Sequence, residues 1–380
     1  MKEKTLLFGF GAVGQGFYSY LKKNERADEV QKIVVKNPDK ERPEAIQDKI
    51  LYECPDLADF STIVEVSSDA AAGLRIIEAG LKAGKKVITS SKKVVAEHLP
   101  QLVALANQHQ ASFCYEATTA ASIPILTNLQ HYYKDAQLQS IEGILNGTSN
   151  YLLTRLQEED CSFEKVLKEA QNKNYAEEDA SSDLAGWDAV YKLSILIYHA
   201  FQVHLPPEKI PTFGIQDIHP IYLKWINEQG YRVKPMAKAV AGPKNIEAYQ
   251  FPQAIPPENP IFQANHQYNA VLLKDENFGS QMLLGEGAGT FPTGYAVFRD
   301  YQLKQGYQLQ AGKRQLENLG KDMGFWVFAA QKESLGKMAN TAEEISIKGK
   351  TFFVADIKSN LIDLQKKLAE NTWTCAKPTE

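Results

Sequence analysis

The stretch LLFGFGAVGQG, residues 6–16, limits the fold more than any other part of the chain. It sets Gly9, Gly11 and Gly14 in G-x-G-x-x-G spacing, between an apolar run with strand character and a segment with helical character. In a doubly wound α/β sheet the first glycine allows the tight turn, the second admits a pyrophosphate and the third lets helix and strand pack closely. The helix start that follows, at Ala12 and Val13, offers free N–H groups and a partial positive charge to phosphates.

The next 120 residues repeat the same grammar. Strand-like runs fall at Thr5 to Phe8, Lys32 to Val35, Thr62 to Val66, Lys86 to Thr89 and Ser112 to Tyr115. Between them, AAGLRIIEAGLKAG and EHLPQLVALANQHQ carry apolar residues at helical spacing, the alternation that makes a parallel sheet covered by helices. The second strand ends at VVKNPDKER. An acid there would bind the ribose of NAD, but the chain offers Lys36, Asn37, Lys40 and Arg42. This leans towards NADP, while a solvated basic loop fits the same residues.

From residue 124 the pattern changes. PILTNLQHYY reads as a long helix, IEGILNG as a strand, and SFEKVLKEAQNKN as a helix capped by Ser162. GPKNIEAYQFPQAIPPENPIF, rich in proline, reads as a surface loop or linker. After Asp300 the expectation is a mostly helical stretch, then strands at FWVFAAQ and TFFVADI and a final helix at NLIDLQKKLAE. With 380 residues the chain exceeds one core and divides into domains: a dinucleotide-binding domain over 1–140, an α+β domain over 141–290, a helix returning to the first domain over 291–320 and a small appendage over 321–380.

Bulk chemistry removes several classes. A net charge of −4 without a basic stripe speaks against nucleic acid as a partner. Four scattered cysteines form no zinc motif or disulfide framework and suit a reducing compartment. After MKEK the chain enters a strand and a glycine turn rather than a signal-peptide core, and no apolar run approaches the roughly 20 residues of a membrane span. The expectation is a cytoplasmic protein acting on a small molecule.

YAEEDASSDLAGWDAVYK, residues 175–192, packs five acids and one lysine into eighteen positions. If a helix begins near Ser182 or Asp183, Asp188 and Lys192 share a face at i,i+4, and Gly186 within it marks a close approach. On spacing alone the commoner reading is a capped helix with a surface ion pair. His199, His204 and His219 have no partner at ligand spacing and read as structural or surface residues.

Five stretches in order change the weighting. The glycine turn, GILNGTSNYLLT (143–154), YAEEDASSDLAGWDAVYKLSIL (175–196), NAVLL (269–273) and GEGAGTFPTGYAVFRD (285–300) each resemble a signature of homoserine dehydrogenases. The resemblance covers residues 1 to about 303. It implies a Rossmann-type doubly wound domain and an α+β catalytic and dimerisation domain with an open mixed sheet. PTGYAVFRDYQL is by position the returning helix. The implied reaction is hydride transfer between NAD(P) and L-homoserine or L-aspartate 4-semialdehyde, on the route to threonine and methionine, in a homodimer or homotetramer.

Carried over residue by residue, the resemblance implies that Lys192 is the catalytic lysine, Asp188 the acid one turn before it, and Glu177 and Asp183 the substrate-binding acids. A lysine serves as acid and base when burial and a neighbouring cation bring its pKa towards neutrality. Lys92, in ITSSKK after a strand, is implied as that second cation beside cofactor and substrate, with Ser91 where the family has asparagine. A plain surface pair with Lys93 is the competing reading. Lys36 and Gly287 complete the implied cofactor contacts. A monovalent cation, Na+, is implied at the Glu116 carboxylate and the carbonyls of Thr119, Ala121 and Ile123. Ala120, Ala121 and Ser122 stand there in place of family glycines, and alanine enters positive φ less readily. The tail reads equally as a shortened small-molecule-sensing domain or a dimer-packing element. Two other functions fit the same residues: a nicotinamide enzyme for another amino-acid aldehyde, and a non-catalytic nucleotide-binding sensor.

Overall fold

The structure is a computed structural model. It describes residues 3–216, 218–242, 245–307, 309, 317–318, 322–347, 349–360, 363–364 and 372–378. Two compact units are present: Met1–Asp135, Ser194–His204 and Glu286–Gln315 form the first, and Ala136–Leu193, Leu205–Gly285 and Leu316–Glu380 the second.

The first unit holds β1 (Thr5–Phe8), β2 (Val30–Val34), β3 (Ile50–Leu51), β4 (Thr62–Glu65), β5 (Lys86–Thr89) and β6 (Ser112–Cys114). They form one parallel sheet in the order β3-β2-β1-β4-β5-β6. Leu6, Leu7, Ile63, Val64, Val87 and Ile88 are all fully buried, as strands covered on both faces require. The covering helices are α1 (Ala12–Lys23), α2 (Ala70–Lys82) and α3 (Lys92–Gln108), followed by the short α4 (Ile125–His131). The expected long helix at PILTNLQHYY is therefore only 7 residues. This strand order reverses between β1 and β4, the point where such sheets bind ligands, and the glycine turn leaves β1 there.

The second unit is built on β7 (Leu138–Ile144), β8 (Arg232–Ala241), β9 (Asn245–Ile255), β10 (Tyr268–Asp275), β11 (Gly279–Glu286), β12 (Glu317–Asn318), β13 (Asp322–Ala329), β14 (Ala342–Ile347), β15 (Lys350–Asn360) and β16 (Thr372–Ala376). The order is β11-β10-β7-β8-β9-β16-β13-β15-β14, with β12 beside β9, and the sheet is mixed because β9 pairs parallel with β16 and β12. The helices of the second half are α5 (Gly147–Glu158), α6 (Phe163–Asn172), α7 (Ser181–Leu184), α8 (Trp187–Phe201) and α9 (Pro220–Glu228). Ser162 caps α6 through Lys165 N–H, as its sequence implies. One core joins Leu152, Leu153 and Leu223 to Val233 and Ala254 of the sheet and to Phe328, Phe352 and Trp373 of the tail.

The proline-rich segment is not a linker. Residues 245–255 form β9, at the centre of the sheet, with Tyr249, Phe251, Ala254 and Ile255 buried. Pro252 faces Pro235 of β8, so two residues without an N–H share one rung and the missing donors are confined to it. The strands expected at FWVFAAQ and TFFVADI are β13 and β15, and β16 joins them to β9, which builds the tail into this unit's sheet. Most of the helical stretch expected after Asp300 beyond 307, and of the final helix at 360–370, lies outside the described residues.

Helix α10 (Thr290–Gln302) belongs to the first unit and packs on α1. The backbones approach closely: a Cβ on Gly16 would come 2.0 Å from the Thr290 carbonyl oxygen, and one on Gly294 2.5 Å from Gly16 C. Tyr301 closes the contact, its hydroxyl 2.8 Å from Thr5 Oγ1 and 2.8 Å from Glu29 Oε2.

Candidate active site

Two residues between β7 and α5, Leu145 and Asn146, organise the acid-rich segment. Asn146 caps α5, its Oδ1 accepting from Ser149 N at 2.7 Å. The same side chain's Nδ2 donates to Asp183 Oδ1 and to Asp188 Oδ2, each at 2.8 Å. Lys192 Nζ lies 2.7 Å from Asp188 Oδ2 and donates to the Leu145 carbonyl at 2.7 Å. Lys192 and Asp188 are 6% and 3% exposed, so this is a buried charge pair and not the surface pair that spacing alone suggests. Such a pair is costly to break from one side, because the remaining charge is left uncompensated.

The segment is tied down by the first turn of α5. Thr148 Oγ1 donates to the Tyr175 carbonyl at 2.6 Å and Ser149 Oγ to the Asp183 carbonyl at 2.9 Å. One continuous helix from Ser182 does not form. Gly186 adopts φ +87° between α7 and α8, a left-handed conformation that suits glycine. A Cβ there would come 2.3 Å from Gln250 Oε1. The helix that carries Asp188 and Lys192 thus starts at Trp187, with the acid in its first turn, where the helix dipole favours negative charge. Glu177 and Glu178 are exposed, and the Glu177 carboxylate makes no hydrogen bond to this cluster among the described residues. Asp179 accepts from Ser181 N at 3.0 Å.

The glycine turn has the geometry that a dinucleotide needs. Gly9 lies at φ +102°, and a Cβ there would sit 2.8 Å from the Val66 carbonyl. A Cβ on Gly14 would come 2.6 Å from the Gly9 oxygen, whereas Gly11 faces open space. Gly11 is the N-cap of α1 and provides no side-chain cap, so the N–H groups at Ala12 and Val13 are left for an anion. Lys36 is highly exposed and pairs with Asp69 at 3.3 Å. Asp69 also caps α2 through Ala72 N, and with these two bonds its carboxyl is held below the usual range. Lys92, at the start of α3 just after β5, is half-buried while Lys93 is exposed, and Gly287 is buried.

Glu116 is 3% exposed. Its Oε1 accepts from Leu126 N at 2.8 Å; its Oε2 accepts from Thr127 N at 2.7 Å, Thr127 Oγ1 at 2.6 Å and Tyr307 hydroxyl at 3.2 Å. The single Tyr307 proton is shared with Asp300 Oδ1, 3.1 Å from the hydroxyl, and Asp300 Oδ2 accepts from Glu116 N at 2.8 Å. Burial raises the proton affinity of both carboxyls. Ala121 takes φ +46°, so the chain makes this left-handed turn with alanine. The Ile123 carbonyl accepts from Ile125 N at 2.8 Å.

The histidines have structural roles. His199 is buried against Tyr115, Nε2 to hydroxyl 3.0 Å, and burial lowers its pKa to about 3. His219 caps α9 through Ile221 N at 3.2 Å, and His204 Nε2 lies 3.4 Å from the Ala96 carbonyl. Asn146, inside GILNGTSNYLLT, carries no role in the sequence reading. Its place before Gly-Thr-Ser at a helix start signals a cap, but its bond to two distant acids has no local signal.

Comparison with known proteins gives the family. The model for the homoserine dehydrogenase NAD-binding domain matches residues 9–116, and that for homoserine dehydrogenase matches 124–301. The homoserine dehydrogenase of Lactococcus lactis is 33% identical over 314 residues, 79% of this chain and 73% of the relative. The crystal structure of a homoserine dehydrogenase from Thiobacillus denitrificans is similar in fold, at TM-score 0.82 and 24% identity, over 98% of this chain and 97% of that one. A hyperthermophilic archaeal homoserine dehydrogenase mutant, solved in complex with NADPH, gives TM-score 0.67 and 24% identity over 79% of this chain and 97% of that one. With the glycine turn and the buried Asp188–Lys192 pair on a matching two-part fold, the chain belongs to the homoserine dehydrogenase family, nicotinamide-dependent oxidoreductases that interconvert L-homoserine and L-aspartate 4-semialdehyde.

Proposed function

We propose that Lys192 is the general acid/base of this reaction and Asp188 the group that orients it. The observation that carries this is the buried Nζ held at two points, by Asp188 Oδ2 and the Leu145 carbonyl, each at 2.7 Å. A bound nicotinamide supplies or removes the hydride. As the aldehyde is reduced its oxygen gains negative charge, and Lys192 donates a proton to it; in the reverse direction the neutral amine takes that proton from the homoserine hydroxyl. Asp183, held by Asn146, and Glu177, which is exposed, are assigned to the substrate's ammonium group. Lys92 is assigned the second cation of the reaction, at the carboxyl end of the parallel sheet.

The pyrophosphate is assigned to Gly9, Gly11, Ala12, Val13 and Gly14, with Gly287 as a further cofactor contact. NADP is the proposed cofactor. Lys36 is an exposed cation two residues past the end of β2, where a 2′-phosphate is read, and a structural relative was solved with NADPH. Lys36→Glu is expected to lower the preference for NADPH over NADH by about tenfold. The monovalent cation fits only in part. Four donors on the Glu116 carboxylate leave it about one lone pair, on Oε1, so Na+ at Glu116, Thr119, Ala121 and Ile123 has no step routed through it. A homo-oligomer in the cytoplasm is proposed, in keeping with four free cysteines.

The test is NADPH consumption with aspartate semialdehyde. Lys192→Ala is expected to lose about a thousandfold or more in kcat while its cofactor affinity stays within a few fold. Near-normal turnover in that variant would sink the assignment.

A further inference from the structure

The carbonyl that holds Lys192 has a second donor. Asn269, the residue after Tyr268 at the start of β10, donates from Nδ2 to the Leu145 oxygen at 3.0 Å. It is fully buried, at 0% exposure, and its Oδ1 has no hydrogen-bond partner among the described residues. The amide orientation is set by chemistry: turned over, Oδ1 would face the Leu145 oxygen, acceptor against acceptor. The next residues, Ala270, Val271, Leu272 and Leu273, are apolar and buried. A side chain retained only to fill space here would be apolar too, since a buried amide oxygen without a partner is costly.

We propose that Asn269 is a positioning residue of the reaction: it occupies one lone pair of the Leu145 carbonyl, so Lys192 Nζ binds at the other in a single orientation and shares its acceptor with a neutral donor. The peptide oxygen is then a weaker acceptor for the ammonium than it would be alone. Asn269 acts through Leu145 and touches no reacting atom. Its position is rigid. The ladder sets Ala270 opposite Ile144, and a Cβ on Gly147 would come 2.5 Å from the Gln267 oxygen and 3.5 Å from Asn269 Oδ1. The inference rests on the assignment of Lys192 as the acid/base.

The test is the pH dependence of aldehyde reduction by the full-length chain, for wild type and for Asn269→Ala, Asn269→Ser and Asn269→Asp, beside Lys192→Ala. With the competing donor gone, the ammonium keeps its proton more firmly, so the alkaline limb of kcat/KM moves to higher pH in Asn269→Ala and further in Asn269→Asp. Asn269→Ser, which keeps a shorter donor, falls between wild type and Asn269→Ala. In Asn269→Ala, kcat is expected to drop about 10- to 100-fold with the KM for NADPH within about twofold. A limb unmoved in both Asn269→Ala and Asn269→Asp overturns the inference, even with a lowered kcat, because that is the result of a packing role. If Asn269→Ala does not fold, the serine and aspartate variants decide by the same limb. Substantial turnover in Lys192→Ala is a separate failure, of the acid/base assignment itself.

Discussion

Asp188 and Asn146, 42 residues apart in sequence, meet at 2.8 Å between Oδ2 and Nδ2, and that same Oδ2 lies 2.7 Å from Lys192 Nζ. One carboxylate oxygen thus serves a helix cap and the proposed acid/base together, and it ties the start of α5 to the first turn of α8.

Asn146→Ala removes a helix cap and the bridge between two carboxylates. The cap alone is worth about 1 kcal/mol, and like charges on Asp183 and Asp188 lose their shared donor. Calorimetry is expected to show destabilisation of about 1–2 kcal/mol, and steady-state rates a fall in kcat of about tenfold or more. Asn146→Asp, which keeps the cap acceptor but adds a third acid, is expected to recover stability at the helix start without recovering kcat.

Asp188→Asn leaves the Lys192 ammonium buried without its counter-charge, at an expected cost of about 3–5 kcal/mol. Lys192→Met leaves the Asp188 carboxylate in the same condition. The double variant removes both charges and is expected to be more stable than either single one, with no turnover. Denaturant unfolding of the four proteins gives the coupling, and additive single effects would contradict a buried pair.

Stability is expected to fall with acid through His199. Its folded pKa, lowered to about 3 by burial, lies below the 6.5 of the exposed ring, so the unfolded chain binds the proton first. The contribution is complete above pH 6.5 and is lost progressively as pH falls towards 3. The slope approaches about 1.4 kcal/mol per pH unit in that window. Buried Glu116 and Asp300 have raised affinities and act in the opposite sense, their contribution falling as pH rises through their folded values. Chemical unfolding from pH 4 to 7 is expected to show a stability that rises less with pH, or falls more, in His199→Gln than in wild type.

Ala121→Gly tests the strained turn. At φ +46° an alanine Cβ carries about 1–2 kcal/mol of backbone strain, against about 0.5–1 kcal/mol of extra chain entropy for glycine in the unfolded state. A net gain of up to about 1 kcal/mol in thermal unfolding is expected. A loss of stability would show that the Cβ has packing value at this buried site.

Local chemistry explains what sequence determined here. Gly9, Gly11 and Gly14 between an apolar run and a helix specify a turn that other residues cannot make, and the β1, β4 and β5 strands follow from short apolar runs between helical periods. Ser162 before an acid and an amphipathic helix is likewise a signal within four residues. The acids and Lys192 of the proposed site are visible as residue types in one stretch, and their proposed roles come from the family resemblance.

The tertiary structure decided the rest, because the deciding contacts join residues far apart. Residues 245–255 look like a loop by their prolines, yet lie at the sheet centre because β8 and β16 flank them and Pro235 meets Pro252 on one rung. The space at Gly186 is limited by Gln250 of β9, far away in sequence. Asp188 and Lys192 at i,i+4 describe a surface pair or a buried one equally well. The approach of Asn146 and the Leu145 carbonyl to the buried pair is a property of packing, which spacing along a chain does not encode.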